Sequence, residues 1–256
     1  MESSTEIWRQ KLSRRLRNKR GTIVTIRNLG KFYGITLLIG MITTLLVSLI
    51  FGYDRLTVYL FKGQIGEFLA AFVWFMGYGL LIASVSQLAY FSYLFIHQLG
   101  AGIFRSAWNP IQAVITVFAL FDLVYFRYLR FGRQEGDVQQ FIWIPILILI
   151  AALIVTYYKV KMTNNSVVIP ALFFMIVMTT VELIPFLRVE DTTWLYCTIF
   201  PLLLCNAYQL LTLPKYNEAS RQERYARKVA KGEIAPEERV TVKNTKVVSK
   251  KKKKRS

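Results

Sequence analysis

The stretch FYGITLLIGMITTLLVSLIF at residues 32–51 runs for 20 residues without a charge. A helix of about 20 residues is roughly 30 Å long, the thickness of a bilayer's hydrocarbon core. Five more charge-free stretches follow, at 68–96, 106–121, 138–158, 162–181 and 192–213. Each is read as a membrane-spanning helix. The second is longer than a crossing needs, so it tilts or enters the headgroups. The third reaches full length only by continuing through Asp122 to Phe126. Thr163, Asn164 and Asn165 read as a turn, which moves the fifth span to about 167–187 and brings Glu182 inside the membrane.

The rest of the composition agrees. The chain has 256 residues, of which 54% are apolar and 19% charged, with a net charge of +18 and a mean hydropathy of +0.37. Soluble domains carry about 25% charged residues, spread evenly. Here 15 of the 33 Lys and Arg lie from Lys215 onward and nine more precede Phe32. That excludes an ordinary soluble enzyme, and such high hydrophobicity excludes global disorder. Soluble cores rarely string together six charge-free runs on links this short. A β-barrel would show alternating strands of about ten residues, and none appear. The first span is not a cleavable signal, because a 31-residue basic segment precedes it and it ends in no cleavage box.

The side of the membrane follows from Lys and Arg, which concentrate in cytoplasmic segments. With both termini inside, the inner segments hold nine, one, two and fifteen basic residues, and the outer loops two, three and one. The expected fold is all-α: a polytopic, multi-pass cell-membrane protein, a six-helix transmembrane bundle with both termini cytoplasmic. Its parts are a basic N-terminal segment (1–31), the membrane domain (32–214) and a basic, largely disordered tail (215–256).

That orientation assigns depths to the polar residues. Gln87 and His97 fall in the inner part of span two. Asn109 and Gln112, three apart and so on one helical face, lie near the inner end of span three, and Asn206 and Gln209 repeat the spacing in span six. With Arg105 and Trp108 they form a proposed inner polar cluster. Amides that simply bond neighbouring helices, at about 0.5–2 kcal/mol each, are the plainer reading. Asp122 and Glu182 are placed near the outer ends of their spans, where Arg127, Arg130 and Arg188 can reach them. Span-end ion pairs are the plain reading of this outer charged cluster, and a ligand-binding mouth is the functional one.

No catalytic constellation emerges: there is no HExxH, GxSxG, CxxC or Gly-rich loop ending in GK[ST], and His97 is the only histidine. Cys197 and Cys205 read as buried apolar thiols, because a metal site would lack further ligands. No enzyme activity, metal or cofactor is expected. Trp8, Leu12 and Leu16 share a face that suits a helix lying on an anionic leaflet, though an unstructured basic flank fits equally. The tail forms a helix to about Gly232. Beyond it, Pro236 and five consecutive lysines suit anionic phospholipid headgroups, with no specific nucleic-acid module.

The segments LGAGIFRSAWNPIQ (99–112), ALFDLVYFRYLRF (119–131), ALFFMIVMTTVELIPFLR (171–188) and IFPLLLCNAYQLLTL (199–213) resemble the KinB-signalling pathway activation protein family, KbaA. The resemblance covers about residues 29–217, and the basic ends exceed the family pattern. It implies a membrane protein of spore-forming Firmicutes that helps activate the sensor histidine kinase KinB, which feeds the phosphorelay initiating sporulation. It implies a kinase partner and no catalytic residue. A small-solute or lipid-handling transporter is the rival class, and it would call for mid-depth charges or a polar cavity reaching both faces. A membrane anchor recruiting polyanions through its tail is the third.

Overall fold

The computed structural model describes residues 25–52, 63–135, 139–188 and 192–232. Residues 1–24, with Trp8, Leu12 and Leu16, and 233–256, with the lysine run, lie outside the described residues. Every regular element among those described is helical. Helix α1 is Ile26–Phe51, α2 is Ile65–Ile103, α3 is Trp108–Glu135 and α4 is Gln139–Met162. Helix α5 is assembled from an α-helical piece Val168–Phe173, a π turn Phe174–Met178, a second α-helical piece Thr179–Leu183 and a 3-10 turn Ile184–Arg188. Helix α6 is Thr192–Ala230.

Each of the six holds a window long and apolar enough to cross a membrane. The chain is a multi-pass membrane protein. The third helix does continue through Asp122, as its length required. The turn before α5 forms at Asn164, whose side chain accepts from the Ser166 backbone N–H at 3.1 Å. The last helix differs from expectation: span and tail helix are one element, running through Pro214 to Ala230 without a break.

Two compact units divide the chain, one of them Gly30–Leu213. Within it, Phe51 packs on Tyr196 and Phe200 while Phe32 stacks on Tyr208, so α1 and α6 run antiparallel. Tyr93 against Phe173 and Phe174, with Tyr78 against Phe186, sets the same relation between α2 and α5. Helices α5 and α6 form the interior, where 61% of each apolar window is buried, against 17–33% in the other four. All five residues of the π turn are buried. In the second unit Ser220 ties the start of α1 to the end of α6: its Oγ accepts from the Thr25 N–H at 3.1 Å and from Asn28 Nδ2 at 3.0 Å.

Helices in lipid approach closely where side chains are small, because packing and not water exclusion holds them. Here the close contact is between Gly40 and Gly79. A Cβ on Gly79 would lie 2.7 Å from the Gly40 carbonyl oxygen, and one on Gly40 would lie 2.6 Å from Ala83 Cβ. Gly30 and Gly34, which share the same four-residue spacing at the start of α1, have nothing within 4 Å of such a Cβ. Gly79→Ala is therefore expected to destabilise the detergent-purified protein by about 1–3 kcal/mol, the usual effect of overpacking. Gly77→Ala, two residues away with open space at its Cβ, serves as the control. Equal melting midpoints for the two variants would contradict a tight α1–α2 contact.

Candidate functional site

Among the described residues, most of the polar side chains singled out from the sequence fall into two groups. The larger joins α2, α5 and α6. Asn206 and Gln209, three apart on α6, are both 0% exposed and face the interior. Asn206 Oδ1 accepts from Ser86 Oγ at 2.8 Å, and its Nδ2 donates to Thr179 Oγ1 at 2.9 Å and Glu182 Oε2 at 3.0 Å. Gln209 Nε2 donates to Ser86 Oγ at 3.0 Å and to Gln87 Oε1 at 3.4 Å. A continuous chain thus runs Gln87–Gln209–Ser86–Asn206–Thr179/Glu182. Close by, Cys205 Sγ donates to the Thr36 carbonyl of α1 at 3.6 Å.

The local sequence explains the convergence. Ser86 and Gln87 are neighbours on α2, so one turn presents both a hydroxyl and an amide. Thr179 and Glu182 sit three apart, on one face of the α-helical piece that follows the π turn. A π turn inserts one residue into helical register, and such turns concentrate at functional positions. Thr180 Oγ1 donates to the Ile176 carbonyl inside that turn at 2.7 Å.

The second group closes the turn between α2 and α3. Trp108 Nε1 donates to His97 Nδ1 at 3.2 Å, and Gln112 Nε2 lies 3.4 Å from the same nitrogen. Indole N–H is a donor only, so His97 Nδ1 is the acceptor and the neutral ring carries its proton on Nε2. The Trp108 ring is seated directly on Gly100, where an added Cβ would lie 2.4 Å from it, and it stacks on Phe104 at 6.0 Å. Between them Arg105 adopts φ 50, a left-handed conformation rare for a residue with a side chain. Arg105 and Asn109 are exposed.

The structure therefore divides the inner cluster read from the sequence. Gln87, Asn206 and Gln209 belong to the interior chain; His97, Trp108 and Gln112 belong to the turn; Arg105 and Asn109 join neither. Glu182, grouped from the sequence with outer arginines, is bonded to Asn206 in the interior instead. Asp122 is half-buried on α3. The side chains of Arg127, Arg130 and Arg188 lie outside the described residues, and among the described residues no ion pair joins Asp122 or Glu182. Ser86 and Thr179 went unnoticed in the sequence, since a hydroxyl in an apolar helix usually bonds its own backbone. No group of three or more His, Cys, Asp and Glu is placed to hold a metal among the described residues.

Comparison with known proteins places this arrangement. The family described as KinB-signalling pathway activation in sporulation (KbaA) matches residues 40–216, which includes both polar groups. The chain belongs to the KbaA family. It is 34% identical over 192 residues to the KinB-signaling pathway activation protein of Bacillus subtilis (strain 168), covering 74% of this chain and 97% of the relative. No solved structure matches it. The site of this KbaA-family chain is accordingly read for hydrogen bonding and shape, not for bond-making.

Removing one partner from a buried chain strands the others, at about 1–3 kcal/mol for each unsatisfied group. Asn206→Leu deprives Ser86, Thr179 and Glu182 together, and it is expected to lower the melting midpoint more than Asn109→Leu at an exposed position. Glu182→Gln keeps an oxygen to accept from Asn206 and should fall between the two. A midpoint for Asn206→Leu no lower than that for Asn109→Leu would show that the chain carries no stability.

Proposed function

We propose that this chain is the membrane accessory protein through which a KinB-like sensor histidine kinase is activated for entry into sporulation, and that it acts by contact and not by catalysis. Membership in the family carries the role, and the braced α2–α3 turn carries the site. We place both termini, and with them that turn, on the cytoplasmic side, following the excess of Lys and Arg in those segments. Arg105 and Asn109 then offer an exposed surface whose shape is fixed by Trp108 on Gly100 and by the bonds of His97 and Gln112. Backbone held in a sparsely populated conformation persists only where the surroundings determine it, and such positions cluster at functional sites.

An accessory protein can shift its partner only by binding two partner states with different affinity. In this reading the interior chain holds α2, α5 and α6 in one arrangement, so that the turn presents a constant surface. Asp122, Arg127, Arg130 and Arg188 are the charged groups left for coupling on the outer side, and Glu182 serves the interior. The basic segment 1–31 and the tail from 215 hold the chain to anionic phospholipid by charge. The transporter reading calls for a mid-depth acid and a polar cavity. Glu182, buried and bonded to Asn206, is the acid such a reading would use. The groove on α2, about 360 Å³ and lined by Ala70, Val73, Trp74, Gly77, Tyr78 and Leu81, runs along one helix face and is apolar, so it does not meet the second.

The decisive experiment measures phosphorylated relay protein in cells with and without the gene, at equal abundance of the membrane kinases. Loss of phosphate flux that the intact gene restores supports the activator role. Unchanged flux overturns it. Alanine at Asn109, Gln112, Asn206 and Gln209 together is expected to lower flux several-fold at normal protein level, and no change in flux would remove the inner half of the mechanism. Truncation after Gly232 should be largely tolerated, whereas a polyanion-recruiting anchor would lose all function.

A further inference from the structure

Pro201 and Pro214 each open a gap in the hydrogen-bond ladder of α6, and the second falls beside Gln209. In an α-helix the carbonyl of residue i accepts the N–H of residue i+4. For Leu210 that partner is Pro214, which has no N–H. The helix nevertheless continues unbroken to Ala230. The Leu210 carbonyl is bonded by another helix: Lys159, on the last turn of α4, donates its Nζ to it. The second lysine of that turn behaves differently, since Lys161 lies over the Tyr157 ring at 4.4 Å from its centre. Lys159 is half-buried and Leu210 is 6% exposed. The acceptor is next in sequence to Gln209, whose amide bonds Ser86 and Gln87.

We propose that Lys159 is a positioning residue for kinase activation: its ammonium replaces the backbone donor that Pro214 lacks and clasps α4 onto the turn of α6 that carries Gln209. Three features fit one another here. A proline frees a carbonyl, a charged donor supplies the stronger kind of bond to it, and the bonded turn holds the end of the interior chain. Membrane helices keep proline where a neighbouring group satisfies the freed carbonyl, and in this bundle the neighbour is the half-buried Lys159. The inference rests on the role given above to the interior chain.

The test is a double-mutant cycle in the full-length protein. Lys159→Met removes the donor and keeps the stem, while Pro214→Ala returns a backbone N–H to the helix. Lys159→Met alone is expected to lower relay phosphorylation roughly tenfold, the factor that about 1.4 kcal/mol makes in an equilibrium. Pro214→Ala alone should leave output near that of the unaltered protein, and the double variant should recover most of what Lys159→Met lost. A lysine needed only for charge or topology would not be rescued by a backbone N–H on α6. Full output from Lys159→Met, or a double variant no better than Lys159→Met, overturns the proposal. If Lys159→Met fails to accumulate in cells, the same cycle is read as melting midpoints in detergent. A smaller effect of Lys159→Met in the Pro214→Ala background upholds the clasp, and equal effects in both backgrounds overturn it. The melting cycle does not depend on signalling, so unchanged flux on deleting the gene would instead sink the activator reading.

Discussion

In hydrocarbon a leucine packs against a lipid tail about as well as against another leucine, so apolar burial does not gather helices as it does in water. What distinguishes the inside of this bundle from its surroundings is hydrogen bonding across helices. Asn206 is the centre of it: its two amide atoms reach Ser86 on α2 and Thr179 and Glu182 on α5. Each cross-helix bond contributes little alone, but the members share partners, and a shared chain gains from mutual polarisation. The same sharing makes each member hard to remove singly.

The burial pattern follows from that centre. Helices α5 and α6, which supply four of the six residues of that chain, are also the two whose apolar windows are mainly covered by protein. The other four give most of their surface to lipid, with Trp74, Leu88, Val114 and Trp143 among the exposed large side chains. The interior helices carry irregularities, as α4 does at Pro145. At the π turn in α5 Thr180 Oγ1 bonds the Ile176 carbonyl, and at Pro214 in α6 Lys159 bonds the freed Leu210 carbonyl, which lipid could not do. Gly40 and Gly79 admit the close α1–α2 approach.

How much of this the sequence disclosed depends on what each feature needs. Six spans could be counted because charge is excluded from hydrocarbon, and of the charge-free runs only 106–121 falls short of the length criterion. Asn206 and Gln209, three apart on α6, are both buried. Asn109 and Gln112 have the same spacing, but Asn109 stands in the first turn of α3 and is exposed while Gln112 is buried. The bond between Glu182 and Asn206 was not legible, because it joins two helices and the π turn before Glu182 leaves no mark in hydropathy. Lys159 and Leu210 are 51 positions apart. Their pairing depends on which helices are neighbours, and a single sequence of similar apolar helices does not encode that order in any local pattern.

A coupling free energy between an accessory protein and its partner is typically about 1–3 kcal/mol, which is the size of one buried hydrogen bond left unmade. That equality bears on why a non-catalytic protein should hold so many polar groups in its interior. An entirely apolar bundle would slide among packings of nearly equal energy, and a partner could not read its surface as one state. A bundle fastened at Asn206, and braced at Trp108, offers few alternatives, each separated by at least one broken bond. The free energy that makes the interior unique is thus of the same order as the free energy by which such a protein could tip a kinase. The signal then requires no large motion, only the making or breaking of a contact as strong as those already inside.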